Sequence, residues 1–253
     1  MILAARGLPY HPDMAKRRAA VRNDAVVAAD GAGETADVET VGEVAYRRIR
    51  SDIVFGRLPP GQKLTLDRMR EAYATSVSTL REILNRLSSE GLIVAEGARG
   101  FEVMPVSADN LRQVASMRQL LECHALKESF DAGDMEWEGR VVAAHHKLAS
   151  IEKRMATGQR ADAQTWKRYD WEFHHALISA CGSRVLLDTH ATIYDRYLRY
   201  QMIAAVYRGE AASSEHRTLL DCALKRDWRT AQRTLTTHVQ DCVEQMLAGG
   251  AIG

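Results

Sequence analysis

The chain has 253 residues, 46% of them apolar and 6% aromatic, with a formal net charge of +1. That length and apolar content suit one large domain or two ordinary ones, and the near-neutral balance excludes a protein that binds nucleic acid through overall charge, so any DNA contact must come from a local basic patch. There is no run of about 18 apolar residues, so no membrane span is expected, and no apolar signal-peptide core at the N-terminus; a cytoplasmic location is the expectation.

Residues 1–39 read as a disordered tail. Met14-Ala-Lys-Arg-Arg18 is basic, Ala29-Asp-Gly-Ala-Gly-Glu34 is small, polar and turn-rich, and Met14 offers an alternative start. The basic run is expected to be solvated rather than bound to phosphate.

Residues 40–105 read as a compact unit. Val44, Ile49, Ile53 and Val54 give a helical pattern that stops near Gly56, and Leu58-Pro-Pro-Gly61 is a turn. A short helix is predicted from about Leu66 to Tyr73. A second begins after Thr75-Ser76, with Val77, Leu80, Leu84 and Leu87 on one side, Ser76 as N-cap and Gly91 as terminator. Leu92–Ala95 and Phe101–Met104 are strand candidates around a turn at 96–100. Two helices followed by a β-hairpin make a winged helix-turn-helix. On the second helix Ser78, Thr79, Arg81, Glu82, Asn85 and Arg86 lie away from the apolar side. The short side chains of Ser76, Ser78 and Thr79 would let the helix end approach a DNA groove, where its N–H groups favour phosphate. Arg81 could reach a phosphate or a guanine edge, and Arg99 and Gly100 would stand at the wing tip. The pattern by itself fits equally a small mixed domain with a solvated helix.

Residues 106–248 read almost entirely as helix, with segments at about 107–130, 137–155, 161–181, 184–207, 212–225 and 228–247. Six helices suffice for a bundle with its own core. The expected fold is thus mainly α: an N-terminal winged helix-turn-helix with a small β-hairpin wing, and a C-terminal all-helical bundle. The four cysteines, Cys123, Cys181, Cys222 and Cys242, form no Cys-x-x-Cys pair and are expected to be reduced core thiols.

Several polar residues fall on apolar helix faces. Asp170 and His174, four apart, sit in the stripe of Trp166, Tyr169, Phe173, Leu177 and Ile178. His216 phases with Leu219, Leu220, Ala223 and Leu224, and His238 with Leu235, Val239 and Cys242. Taken singly, each histidine reads as a hydrogen-bonded core residue. The shared inward phasing of one Asp and three His points to a divalent-metal site. Arg118 shares a face with Val114, Leu121 and Ala125, and a buried guanidinium needs an anion: either a small organic acid or a structural partner, Glu122 or Asp170. Tyr194, Tyr197, Arg199 and Tyr200 line a pocket or simply pack.

Residues 42–104 resemble the winged-helix domain of the GntR family of regulators. The resemblance rests on Ile49-x-x-x-Ile53-x-x-Gly56-x-Leu58-x-Pro60-Gly61-x-x-Leu64, on Ser76-x-x-x-Leu80-Arg81-Glu82-x-Leu84-x-x-Leu87-x-x-Glu90-Gly91-Leu92-Ile93, and on Gly100-x-x-Val103. It implies DNA binding, with Arg68 as a further basic contact on the preceding helix. Where that family usually has Ser-Arg-Thr-Pro this chain has Ser76-Val77-Ser78-Thr79, which implies a different or weaker operator preference. Residues 109–247 resemble the FCD effector domain through Asp170-x-x-Phe173-His174-x-x-Leu177, Glu215-His216-x-x-Leu219-Leu220 and Leu235-x-x-His238-Val239. That resemblance implies Asp170, His174, His216 and His238 as ligands of zinc, nickel or a similar ion, and Arg118 as the contact for an acidic effector. The expected function is ligand-responsive regulation of transcription by a homodimer bound to double-stranded operator DNA, with a small carboxylate as effector. Two rivals are a metalloenzyme activating water at the Asp/His set, for which no general base is evident at motif level, and an effector-independent DNA-binding protein.

Overall fold

The computed structural model describes residues 40–95, 100–158 and 163–252. The expected tail at 1–39, its basic run and Arg99 lie outside the described residues. The N-terminal unit runs α1 (Val41–Val54), β1 (Lys63–Leu64), α2 (Leu66–Tyr73), α3 (Val77–Ser89), β2 (Ile93–Ala95) and β3 (Phe101–Val103). The bundle runs α4 (Ala108–Ala132), α5 (Met135–Ala156), α6 (Ala163–Ile178), α7 (Arg184–Ala204), α8 (Glu210–Lys225) and α9 (Trp228–Ala248).

Caps account for most of the helix starts. Thr40, Ser76, Ser107, Asp134, Ser183 and Asp227 each accept a hydrogen bond from the backbone N–H three residues on, satisfying a donor that the helix itself leaves unpaired. Two ends differ from the periodicity. α6 stops at Ile178 rather than near Cys181, because the N–H of Ala180 turns across to Ser129 Oγ on α4 at 3.0 Å. α7 stops at Ala204 rather than Tyr207, where Ala205 takes a left-handed backbone.

The wing is a three-stranded antiparallel sheet in the order β1-β3-β2, with Leu64 opposite Phe101 and Ile93 opposite Val103. The predicted hairpin is present, and β1 joins it. Gly61, at φ +75°, makes this possible: its N–H donates to Val103 O at 2.9 Å and brings the turn after α1 against the wing. A strand of two residues carries no alternation to read.

Leu80, Leu84 and Leu87 of α3 are fully buried with Ile49, Ile53 and Val103. The turn between α2 and α3 places Ala74 at φ 50°, ψ 48°, a conformation that costs a non-glycine residue about 1–2 kcal/mol. Ala74 is exposed, so Ala74→Gly forfeits no packing. Against the larger unfolded-state entropy of glycine, the substitution should stabilise the protein by about 0.5–1 kcal/mol, read as a higher urea midpoint at unchanged slope.

In the bundle, α4, α9, α8, α5 and α6 pack in a closed ring, and α7 lies against α4. Its core centres on Leu111, Phe130, Trp137, Leu148, Phe173, Leu219, Leu235 and Met246. The N-terminal unit docks on α7. Tyr194 and Leu198 are buried within the same apolar cluster as Ile49, Leu84 and Leu92, with Trp171 and Met202 at its edge. Arg50 of α1 pairs with Asp195 of α7 and with Glu90 at the end of α3. Arg199 donates to Met104 O in the link after the wing. No helix among the described residues is long and apolar enough to cross a membrane, and all four cysteines are free thiols.

Candidate metal centre

All six bundle helices send polar groups to one point in the interior. α6 contributes Lys167, Asp170 and His174, α8 contributes Glu215 and His216, and α9 contributes His238. Arg118 and Glu122 come from α4, Glu152 from α5, and His190 and Tyr194 from α7. Asp170, His174, His216 and His238 are 1–5% exposed. The four residues singled out in the sequence therefore do meet. The histidine rings lie 5.0–5.7 Å apart between centroids. One ligand nitrogen from each falls within 4.8 Å of the others. Asp170 Oδ1 is 3.4 Å from His216 Nε2 and 3.9 Å from His174 Nε2, near the roughly 3.0–3.4 Å between neighbouring donors of a divalent ion with bonds of about 2.1 Å.

Each histidine is oriented from behind by a carboxylate on a different element. His174 Nδ1 meets Glu122 Oε2 at 3.2 Å, His216 Nδ1 meets Glu152 Oε1 at 2.9 Å, and His238 Nδ1 meets Glu215 Oε2 at 2.7 Å. A carboxylate only accepts, so in His216 and His238 the ring nitrogen facing it carries the proton and Nε2 keeps its lone pair. The Nε2 atoms of His174 and His216 are buried and have no hydrogen-bond partner. A buried polar atom without a partner is costly, and a metal ion would supply the partner. Burial pushes the His238 imidazole down to about 3, against the pull of Glu215, and burial likewise lowers His174. These rings are neutral, the state in which imidazole binds metal. Asp170 resists the effect of burial chiefly because Lys167 holds its carboxyl far below the usual range. Its Oδ2 accepts from Tyr194 Oη at 2.8 Å and Lys167 Nζ at 3.4 Å, which leaves Oδ1 toward the histidines. The residues present thus fit a divalent ion.

Arg118 is fully buried and sandwiched by Tyr194 and Tyr197, whose ring centroids are 4.5 and 4.7 Å from the guanidinium carbon. Of the partners open to it in the sequence, the structure selects Glu122: Nε donates to Oε1 at 2.7 Å and Nη2 to Oε2 at 3.4 Å. Its Nη1 is buried and unpartnered. Two neighbours compete for Nδ1 of His174, since Arg118 Nη2 also stands 3.2 Å away and can only donate. Nδ1 serves Glu122 when it carries the proton and Arg118 when it does not. Glu122 also accepts from His190 Nε2 at 2.7 Å. Burial would raise the Glu122 carboxyl, but Arg118 and His174 hold it well below its ordinary value. Glu152, Lys167 and His190 had no sequence signal. In sequence they are unremarkable polar residues, and their burial follows from where neighbouring helices cross.

On the winged unit, Arg68, Ser76, Ser78 and Arg81 are exposed, while Thr79 and Gly100 are partly covered. Ser76 Oγ is occupied as the N-cap and lies 2.8 Å from Ser78 Oγ and 2.9 Å from Thr79 Oγ1. Arg86 turns back to Glu43 at 2.9 Å and stacks over Tyr46, 3.7 Å from its ring centroid, which ties α3 to α1.

With this geometry in hand, the chain matches two families: the bacterial regulatory proteins of the gntR family over residues 42–103 and the FCD domain over residues 113–241. It is 35% identical over 210 residues to the HTH-type transcriptional regulator BphR of Paraburkholderia xenovorans (strain LB400), covering 82% of this chain and 86% of that one. It is 29% identical over 213 residues to the HTH-type transcriptional repressor GlaR of Escherichia coli (strain K12), covering 81% and 96%. Among solved structures, E. coli McbR/YncC superposes with a TM-score of 0.69 at 16% identity over 83% of this chain and 99% of that one, a likeness of fold.

Proposed function

The chain belongs to the GntR family of bacterial regulatory proteins and carries an FCD domain, and from that premise we propose that a divalent metal at Asp170, His174, His216 and His238, joined by a small carboxylate, sets how its winged helix grips DNA. The protein is a ligand-responsive, DNA-binding transcription regulator and not an enzyme.

The observation that carries the metal reading is the pair of buried, unpartnered Nε2 atoms on His174 and His216, beside three Nδ1 atoms that face carboxylates. Three imidazoles and one carboxylate suit zinc or nickel. When bound, the ion would join α6, α8 and α9 and supply positive charge for a carboxylate. Arg118 would donate to that acid from Nη1, the guanidinium nitrogen that Glu122 leaves free.

The signal reaches the head through α7. Tyr194 hydrogen-bonds Asp170, covers Arg118 and sits in the core beneath α1 and α3. One residue on, Asp195 holds Arg50. A shift of α7 by the occupied centre would therefore move the surface on which the reading head rests. Two heads of a cytoplasmic homodimer would meet two half-sites of one operator, with repression as the output, as in the relative GlaR. Ser76, Ser78, Thr79 and Arg81 would face the groove, Arg68 the backbone, and Arg99 and Gly100 the wing contact.

The test is fluorescence anisotropy on a duplex selected from a random library with the full-length protein. Zinc with carboxylate should change affinity roughly 5–150-fold relative to chelator. Arg81→Ala should cost about 1–3 kcal/mol if Arg81 reads a base edge, or lower the salt slope by about one if it holds a phosphate. Binding that is indifferent to metal, chelator and every acid tried would leave an effector-independent DNA-binding protein in its place.

A further inference from the structure

Lys167 is 4% exposed, one turn before Asp170 on α6. Its Nζ lies 3.4 Å from Asp170 Oδ2 and 3.9 Å from the ring centroid of Trp166. In the metal reading this cation only steadies Asp170 through Oδ2, and a lysine against a metal-ligating carboxylate also opposes the ion electrostatically.

The charges buried around the centre show what it changes. Among the described residues, Arg118 and Lys167 are the cations there, and Asp170, Glu122 and Glu152 are the carboxylates. Glu215 is matched separately by a bidentate contact with Arg208 at 2.8 Å, and the second carboxylate on that guanidinium, Asp241, is half exposed to water. The buried Arg199 turns to the Met104 carbonyl, away from the centre. Metal-ligating histidines are neutral. Summed over these groups, a bound dication leaves the centre one unit positive. Residual charge in a buried site is costly unless it is paired. A single negative charge from outside restores balance. Without Lys167, the metal alone would do so.

We propose that Lys167 makes the metal and a small anion bind as a couple, the ion weakly by itself and tightly with one carboxylate beside it. This inference rests on the metal reading above and adds to it the rule for occupancy: the site answers to both species together.

The test uses full-length protein and Zn²⁺ in competition with a fluorescent chelator, with sodium acetate or sodium perchlorate at equal ionic strength. Wild type should bind Zn²⁺ more tightly in acetate than in perchlorate. Lys167→Met keeps the stem against Trp166 and removes the charge. It should bind Zn²⁺ on the order of tenfold more tightly in perchlorate, the scale of a relieved repulsion between partly screened buried charges, and should lose the acetate response. Lys167→Arg should behave as wild type. Unchanged affinity in Lys167→Met, or an acetate response that survives in it, overturns the proposal while leaving the metal site intact. If His216→Ala binds Zn²⁺ as wild type does, or if neither protein binds it, the metal reading fails and the proposal falls with it.

Discussion

Glu122→Ala is expected to destabilise the metal-free protein by roughly 3–5 kcal/mol, the cost of breaking a buried ion pair from one side. Glu122 accepts from Arg118, His174 and His190 at 2.7–3.4 Å, inside a region closed to water. Its removal strands the fully buried Arg118, whose remaining neighbours are chiefly the faces of Tyr194 and Tyr197 and the ring nitrogen of His174. Ring faces attract a cation but replace only part of a carboxylate. For a chain of this size each kcal/mol moves the melting temperature by about 2–4 °C, so differential scanning calorimetry in chelator should show a fall of roughly 6–20 °C. Glu122→Gln keeps one acceptor oxygen and should lose less. A fall of under about 1 kcal/mol in Glu122→Ala, inside the range of an exposed pair, would mean that water enters the bundle and that Arg118 is not held as described.

His216→Ala should abolish stoichiometric zinc binding, with a loss of affinity well beyond the roughly 10–100-fold expected for a residue that only orients a ligand. His216 sits at the junction of the site. Its Nε2 faces Asp170 Oδ1 at 3.4 Å, and its ring packs near both His174 and His238. Glu152→Gln serves as the graded comparison, since it touches the metal set only through His216 Nδ1 and should fall within that 10–100-fold range. Isothermal titration with metal analysis of the dialysed proteins separates the two. Equal losses in both variants would place the ion elsewhere.

Much of this was legible in the sequence, for identifiable reasons. Asp170 and His174 are one turn apart in a stripe of aromatic and aliphatic residues, and period alone puts them inside. His216 and His238 lie on other helices, yet each interrupts an apolar face, so all three histidine positions could be assigned without knowing how the helices pack. Glu152 could not be. It lies in Ile151-Glu-Lys-Arg154, a stretch that reads as a solvated face, and only the crossing of α5 with α8 encloses it. Lys167 and His190 were hidden for the same reason, because their environment is made by other helices. Tyr194 and Tyr197 fit a pocket wall and a packed core equally well in the sequence, and the structure buries both against Arg118. The same limit applied to β1, whose existence depends on the Gly61 turn reaching Val103.

The apolar cluster beneath α1 and α3 is completed by Tyr194 and Leu198, which lie some ninety residues beyond the wing. The reading head therefore borrows part of its interior from the sensor. Cut away at the linker, it would carry an oily scar and an Arg50 left with Glu90 alone. This head cannot be traded like a cassette: a graft must bring the facing surface of α7 with it, and substitution is free on the exposed side of α3 but tethered on the other.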